Sequence, residues 1–177
     1  MTDYLSCAQT AKLIRAALKR AFPGVRFSIR SNTYSGGASV KVKWTDGPLQ
    51  RDVEAVAKRF QGGDFDGMID MAVCRHHYLT PDGMAVMAGT EGTEGSGGTI
   101  ERVDNPAPPF DARRVRFGAD FVFCDRELSE GFRARLLAAW DALTVRERVA
   151  LCNHAHIRWD ETERYPERLA WQISQFV

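Results

Sequence analysis

Residues Phe22 to Pro48 constrain the fold more than any other stretch. Two alternating runs flank a polar, glycine-bearing segment from Ser31 to Ala38, which predicts an antiparallel hairpin. In the first run Val25, Phe27 and Ile29 share one face; Arg26, Ser28 and Arg30 share the other. In the second, Val40, Val42 and Trp44 oppose Ser39, Lys41 and Lys43. The ribbon should be apolar on one side and basic on the other. Its apolar side needs a cover, and the segments before and after it can supply one. Ser6 with Gln9 is a capping box that starts a helix near Cys7, with Ala11, Ile14, Leu18 and Phe22 as its buried stripe. Lys12, Arg15 and Lys19 form a second, basic stripe, and Pro23-Gly24 ends the helix. Asp46-Gly47-Pro48 reads as a turn with Pro at the first position of another helix, whose core face is Val53, Val56 and Phe60.

The Asp64 to Met68 stretch is expected to open a short third helix running through Met71 and Ala72 toward Cys74. Tyr78-Leu79 should be a short strand entering the turn Thr80 to Gly83, with Met84 to Met87 pairing back. Ala88 to Pro109 interleaves glycines with Thr, Glu and Ser and closes on prolines, which predicts an exposed flexible loop. It is no phosphate loop, because no lysine follows at the required spacing. Arg113 to Phe117 and Asp120 to Phe123 look like a tight hairpin around Gly118-Ala119. Ser129 caps a helix with the stripe Phe132, Leu136, Trp140 and Leu143; Thr144 with Glu147 caps the next. Pro166 should start a last helix bearing Leu169, Ile173 and Phe176. The expected fold class is α+β. A helix–β-hairpin–helix module spans 1–87, a flexible Gly/Pro loop 88–109, and a mostly helical C-terminal part with a short hairpin 110–177, packed back on the module.

A length of 177 residues, 44% hydrophobic and 27% charged, suits a folded soluble protein. No apolar run reaches membrane-span length and no signal pattern opens the chain, so no membrane partner and a cytoplasmic place, in a bacterial host cell, are expected. A net charge of +1 hides a split. Residues 1–60 hold eleven Lys or Arg against four Asp or Glu; the remainder holds thirteen against nineteen. That split points to a basic binding surface in the N-terminal part, or to two halves that attract each other.

The basic hairpin face offers Arg26, Arg30, Lys41 and Lys43, with Lys12, Arg15 and Lys19 nearby in sequence and Tyr34 as a ring for stacking. Cationic groups with an aromatic platform suit single-stranded nucleic acid, and a two-stranded ribbon can also enter a major groove. An ordinary solvated sheet face guarded by Lys and Arg is the plainer alternative. The four histidines sit in two clusters, Cys74 with His76 and His77, and Cys152 with His154 and His156. Zinc takes Cys and His in fours, so the clusters could close one site, although neither spacing matches a finger. Otherwise these are buried thiols and helix-end histidines, and no cofactor is needed. Cys–His nucleophilic catalysis lacks a local signature. Asp64, Asp66 and Asp70 could hold a divalent metal, but read more simply as turn and helix-start residues. No catalytic residues emerge, and a non-enzymatic protein is expected.

Thr10-Ala11-Lys12, Leu18-Lys19, Phe22-Pro23-Gly24-Val25, Trp44-Thr45-Asp46-Gly47-Pro48 and Phe65-Asp66-Gly67-Met68 with Asp70 give residues 5–85 a specific look. This half resembles the large polyvalent protein-associated domains, the twenty-ninth of that series. The resemblance implies a phage or conjugative-plasmid context and an association with countering host defence, with no catalytic residues to carry over. A short chain departs from the long multi-domain proteins that carry such modules. A free-standing counter-defence inhibitor, anti-CRISPR-like or antirestriction-like, would fit that departure. The expected partner is then a host defence complex or nucleic acid.

Overall fold

Ser6 caps the first helix as its sequence dictates: its hydroxyl accepts from the Gln9 backbone N–H at 3.3 Å, and the Gln9 side chain accepts from the Ser6 N–H at 2.8 Å. This computed structural model describes residues 2–66, 70–92 and 111–154. In chain order the elements are β1 (Asp3–Leu5), α1 (Cys7–Ala21), β2 (Ser28–Tyr34), β3 (Gly37–Thr45), α2 (Gln50–Ala57) and a 3-10 turn Lys58–Phe60. They continue with β4 (Gly63–Asp66), β5 (Met71–Leu79), β6 (Ala85–Gly92), β7 (Arg113–Phe117), β8 (Phe121–Glu127), α3 (Glu130–Asp141) and α4 (Val145–His154). The fold is mixed α and β.

The hairpin is present and longer than its apolar alternation suggests. β2 and β3 pair antiparallel from Ser28 opposite Lys43 to Tyr34 opposite Gly37, so Ser31 to Tyr34 extends a strand and only Ser35-Gly36 turns. β8 adds to β3 in parallel, giving the order β2-β3-β8. The second sheet is built on β5. One edge of β5 pairs with β6; the other pairs with β4 at its start and β7 at its end. β1 then lies parallel beside β7.

Three local expectations are corrected. The stretch toward Cys74 is strand β5, not a third helix: a strand paired along both edges wins over a weak local helix signal. Ala88 to Gly92 belongs to β6, not to a loop. Arg113 to Phe123 is not a hairpin. Gly118 donates to the Leu5 carbonyl in one sheet and Asp120 to the Ala38 carbonyl in the other, so the chain crosses between sheets there. A smaller correction is that α2 opens at Gln50, after Pro48. Strand pairing also runs across residues 88–109, because β7 joins β1 and β5 while β8 joins β3. Residues 93–109 of the expected loop, Gly67 and Met68, His156 and the helix from Pro166 lie outside the described residues.

One core serves both sheets. Ala11, Ile14 and Leu18 of α1 and Val53 and Ala57 of α2 bury against Ile29, Val40, Val42, Trp44 and Val122. Each fully buried aliphatic side chain contributes about 1.5–3 kcal/mol. Phe60 meets Phe117 edge-on at 5.4 Å and carries the core into the second sheet. The sheets are joined where Gly62 and Gly63 donate to the Ala119 and Asp120 carbonyls at 2.8 and 3.1 Å. The buried Gln61 amide donates to Gly63 O and accepts from Val122 N–H. A Cβ at Gly62 would lie 1.9 Å from the Phe117 carbonyl oxygen, so only glycine fits the crossing.

Candidate functional site

The three-stranded sheet buries one face under α1 and α2 and opens the other. The register sets the open face in rows. Asn32, Ser39 and Phe121 lie across one row; Arg30, Lys41 and Phe123 across the next; Ser28, Lys43 and Asp125 across the third. Thr45 and Glu127 follow. Tyr34 sits at the hairpin end opposite Gly37, where a Cβ would come within 3.0 Å of its ring; the missing side chain lets that ring lie across the strand. Rings thus gather toward one end, cations in the middle and carboxylates at the other.

Phe123 is 52% exposed and Tyr34 47%, and the Phe121 and Phe123 rings lie 6.2 Å apart at 27°. Both Phe123 and Tyr34 stand open to water on the side of the sheet that the helices leave uncovered. Ser28, Arg30, Lys41 and Lys43 line a depression of about 270 Å³. Lys41 pairs with Asp125 and Lys43 with Glu127, each at 3.1 Å. Exposed pairs of this kind contribute about 0–1 kcal/mol, so the lysines are easily released to another anion.

Of the eight cationic and aromatic residues expected at a binding surface, the structure brings Arg30, Lys41, Lys43 and Tyr34 onto one face. Arg26 is exposed but precedes β2. Lys12 and Lys19 are exposed on α1, which covers the opposite face of the sheet. Arg15 is turned to the sheet instead, donating to the Ile29 carbonyl of β2 at 2.9 Å. Phe121, Phe123, Asp125 and Glu127 were not foreseen as site residues. The run Phe121-Val-Phe-Cys124 is apolar on both faces, so alternation carried no signal.

Asp46 of the Asp-Gly-Pro turn is structural. It holds φ +56°, and its carboxylate accepts from the Ser129 N–H and hydroxyl at 2.8 and 2.7 Å, while Ser129 caps α3 through the Phe132 N–H. Buried Arg126 donates to the Asp46 and Gly47 carbonyls and lies over the Phe132 ring. Asp64 is engaged by Arg75 and Asp70 occupies a turn.

The Cys and His clusters lie on different elements. Cys74, His76 and His77 are on β5; Cys152 and His154 are on α4. Among the described residues no three His, Cys, Asp or Glu side chains come together in a metal-binding group. Burial lifts the Cys7 and Cys152 thiols above their usual range and pushes Cys124 up to about 12, the reverse of what a nucleophile needs. Cys74 accepts from the Arg116 guanidinium at 3.2 Å. His77, 1% exposed, packs on Phe117 at 4.9 Å; burial first, then Arg75 and His76, lowers its pKa to about 4. It is a neutral core histidine. Among the described residues no helix is long and apolar enough to cross a membrane.

A helix-covered sheet whose other face carries rings and cations open to water defines an α+β domain. The chain belongs to the family described as large polyvalent protein associated domain 29, which matches residues 5–129. Domains of this kind are associated with polyvalent proteins of phages and plasmids. No curated protein and no solved structure matches the chain. The family match ends at Ser129, where the Asp46 carboxylate receives the cap of α3.

Proposed function

We propose that the chain is a non-enzymatic binding protein of a mobile element and that its open sheet face takes single-stranded nucleic acid. The observation that carries this reading is the alignment of Tyr34, Phe121 and Phe123 beside Arg30, Lys41 and Lys43 on one surface. Exposed rings give successive bases a stacking platform, and the adjacent cations follow the phosphates. About three phosphate contacts on a single strand give a salt slope near −2. Fluorescence anisotropy with labelled single strands at several salt concentrations tests this. The triple variant Arg30→Glu, Lys41→Glu, Lys43→Glu should lose at least about tenfold in affinity and flatten the slope. Wild-type protein that binds no single-stranded DNA or RNA at low salt would refute the reading.

A second reading is a protein target, a host defence complex engaged in the manner of an anti-CRISPR or antirestriction inhibitor. Asp125 and Glu127 favour it, because mixed charge suits a protein surface and repels phosphate. Capture from host lysate that survives nuclease treatment supports this second reading. Zinc as a structural or hydrolytic cofactor at Cys74, His76, His77, Cys152, His154 and His156 is a third proposal, tested by elemental analysis of purified protein. A cytoplasmic site of action goes with all three.

A further inference from the structure

We propose that Asp125 makes the open sheet face selective for bases that carry an exocyclic amino group. The inference rests on the single-strand reading of that face. Phe123 and Asp125 are two residues apart on β8 and share a side of the sheet, about 6.6 Å apart along the strand. A base stacked on Phe123, which is half exposed, turns one edge along the strand toward Asp125. A carboxylate only accepts hydrogen bonds. Lys41 holds Oδ2 at 3.1 Å and leaves further lone pairs for a ligand. The same lysine offsets the repulsion a bare carboxylate would impose on a nearby phosphate.

Cytosine presents an amino donor next to an unprotonated ring nitrogen, and adenine does the same. On the C4–C5 edge cytosine offers its amino group where uracil and thymine offer only the O4 carbonyl, so that edge of uracil or thymine turned to Asp125 sets lone pairs against lone pairs. Asp125 therefore accepts from the amino group and disfavours the carbonyl. Glu127 lies one row further from the ring, opposite Thr45, and pairs with Lys43, so it takes no part in the choice. The two carboxylates next to the cations are then divided in purpose. Asp125 reads a base, and Glu127 tethers a lysine.

The test uses full-length protein and labelled homopolymers of deoxycytidine and deoxyuridine about 15 nucleotides long, read by fluorescence anisotropy. These probes differ at the amino or carbonyl edge and little else. Wild-type protein should bind the cytidine strand about tenfold more tightly. Asp125→Asn supplies both a donor and an acceptor, so it should bring the two affinities within about twofold. Glu127→Gln should keep the wild-type ratio. Both positions are partly or fully exposed, and unchanged melting curves will show that the variants fold. Equal binding of both strands by wild type overturns the selectivity and leaves the platform standing. A ratio that persists in Asp125→Asn overturns the assignment to Asp125. Failure of wild type to bind either strand overturns the platform and this inference together.

Discussion

The three-stranded sheet sets Lys41, Lys43, Asp125 and Glu127 on a face open to water, paired at 3.1 Å and free to exchange. The five-stranded sheet turns His77 inward against Phe117, where it is 1% exposed and its Nδ1 has no hydrogen-bond partner among the described residues. The same chemistry, a titratable side chain on a strand, is cheap to alter in the first place and costly in the second. What separates them is the layer above the strand. On the first sheet the inner face is covered by α1 and α2, and the outer one is open to water. On the second, the inner face meets the shared core through Phe117 and Phe60.

The largest effect should come from breaking the junction that holds the two sheets together. Gly62→Ala puts a Cβ against the Phe117 carbonyl and is expected to destabilise the protein by about 3 kcal/mol, a fall of about 10 °C in Tm. Urea and thermal melts check it, and an unchanged Tm would show that the crossing has room. Next is the buried imidazole. Because the folded His77 pKa is about 4 and the unfolded value about 6.5, the unfolded chain binds the extra proton first as pH falls. Its contribution is complete above pH 6.5 and is lost between there and about 4, roughly 3 kcal/mol in all. His77→Phe should flatten that part of a stability–pH curve measured by urea denaturation. Asp46→Ala removes the tie to Ser129 and places alanine at φ +56°, an expected loss of about 2 kcal/mol. The smallest stability effect belongs to the open face. Lys41→Gln with Lys43→Gln should move stability by no more than about 0.5 kcal/mol while weakening binding to single strands, which separates contact from support.

Local chemistry was legible wherever it was self-contained. The capping box at Ser6, the cap at Ser129 and the box at Thr144 with Glu147 each act within four residues, and each forms as read. The hairpin was legible because Val40, Val42 and Trp44 alternate cleanly with Ser39, Lys41 and Lys43. β5 was not, since its place is fixed by three partner strands and nothing between Met71 and Leu79 announces them. The candidate face was half legible. Its cations lie on the alternating hairpin, whereas Phe121 and Phe123 joined it only through parallel pairing with β3.

That pairing also sets a timetable. Ser39 meets Phe121, 82 residues further along the chain. At a synthesis rate of about 5–20 residues per second, β3 leaves the ribosome roughly 4–16 seconds before the strand that completes its sheet. During that interval one edge of β3 has its hydrogen-bonding groups open, next to the apolar Val40, Val42 and Trp44. Phe121 and Phe123 arrive on the strand that closes this edge, so two of the three rings on the outer face join the sheet in the same step that pairs the open backbone of β3.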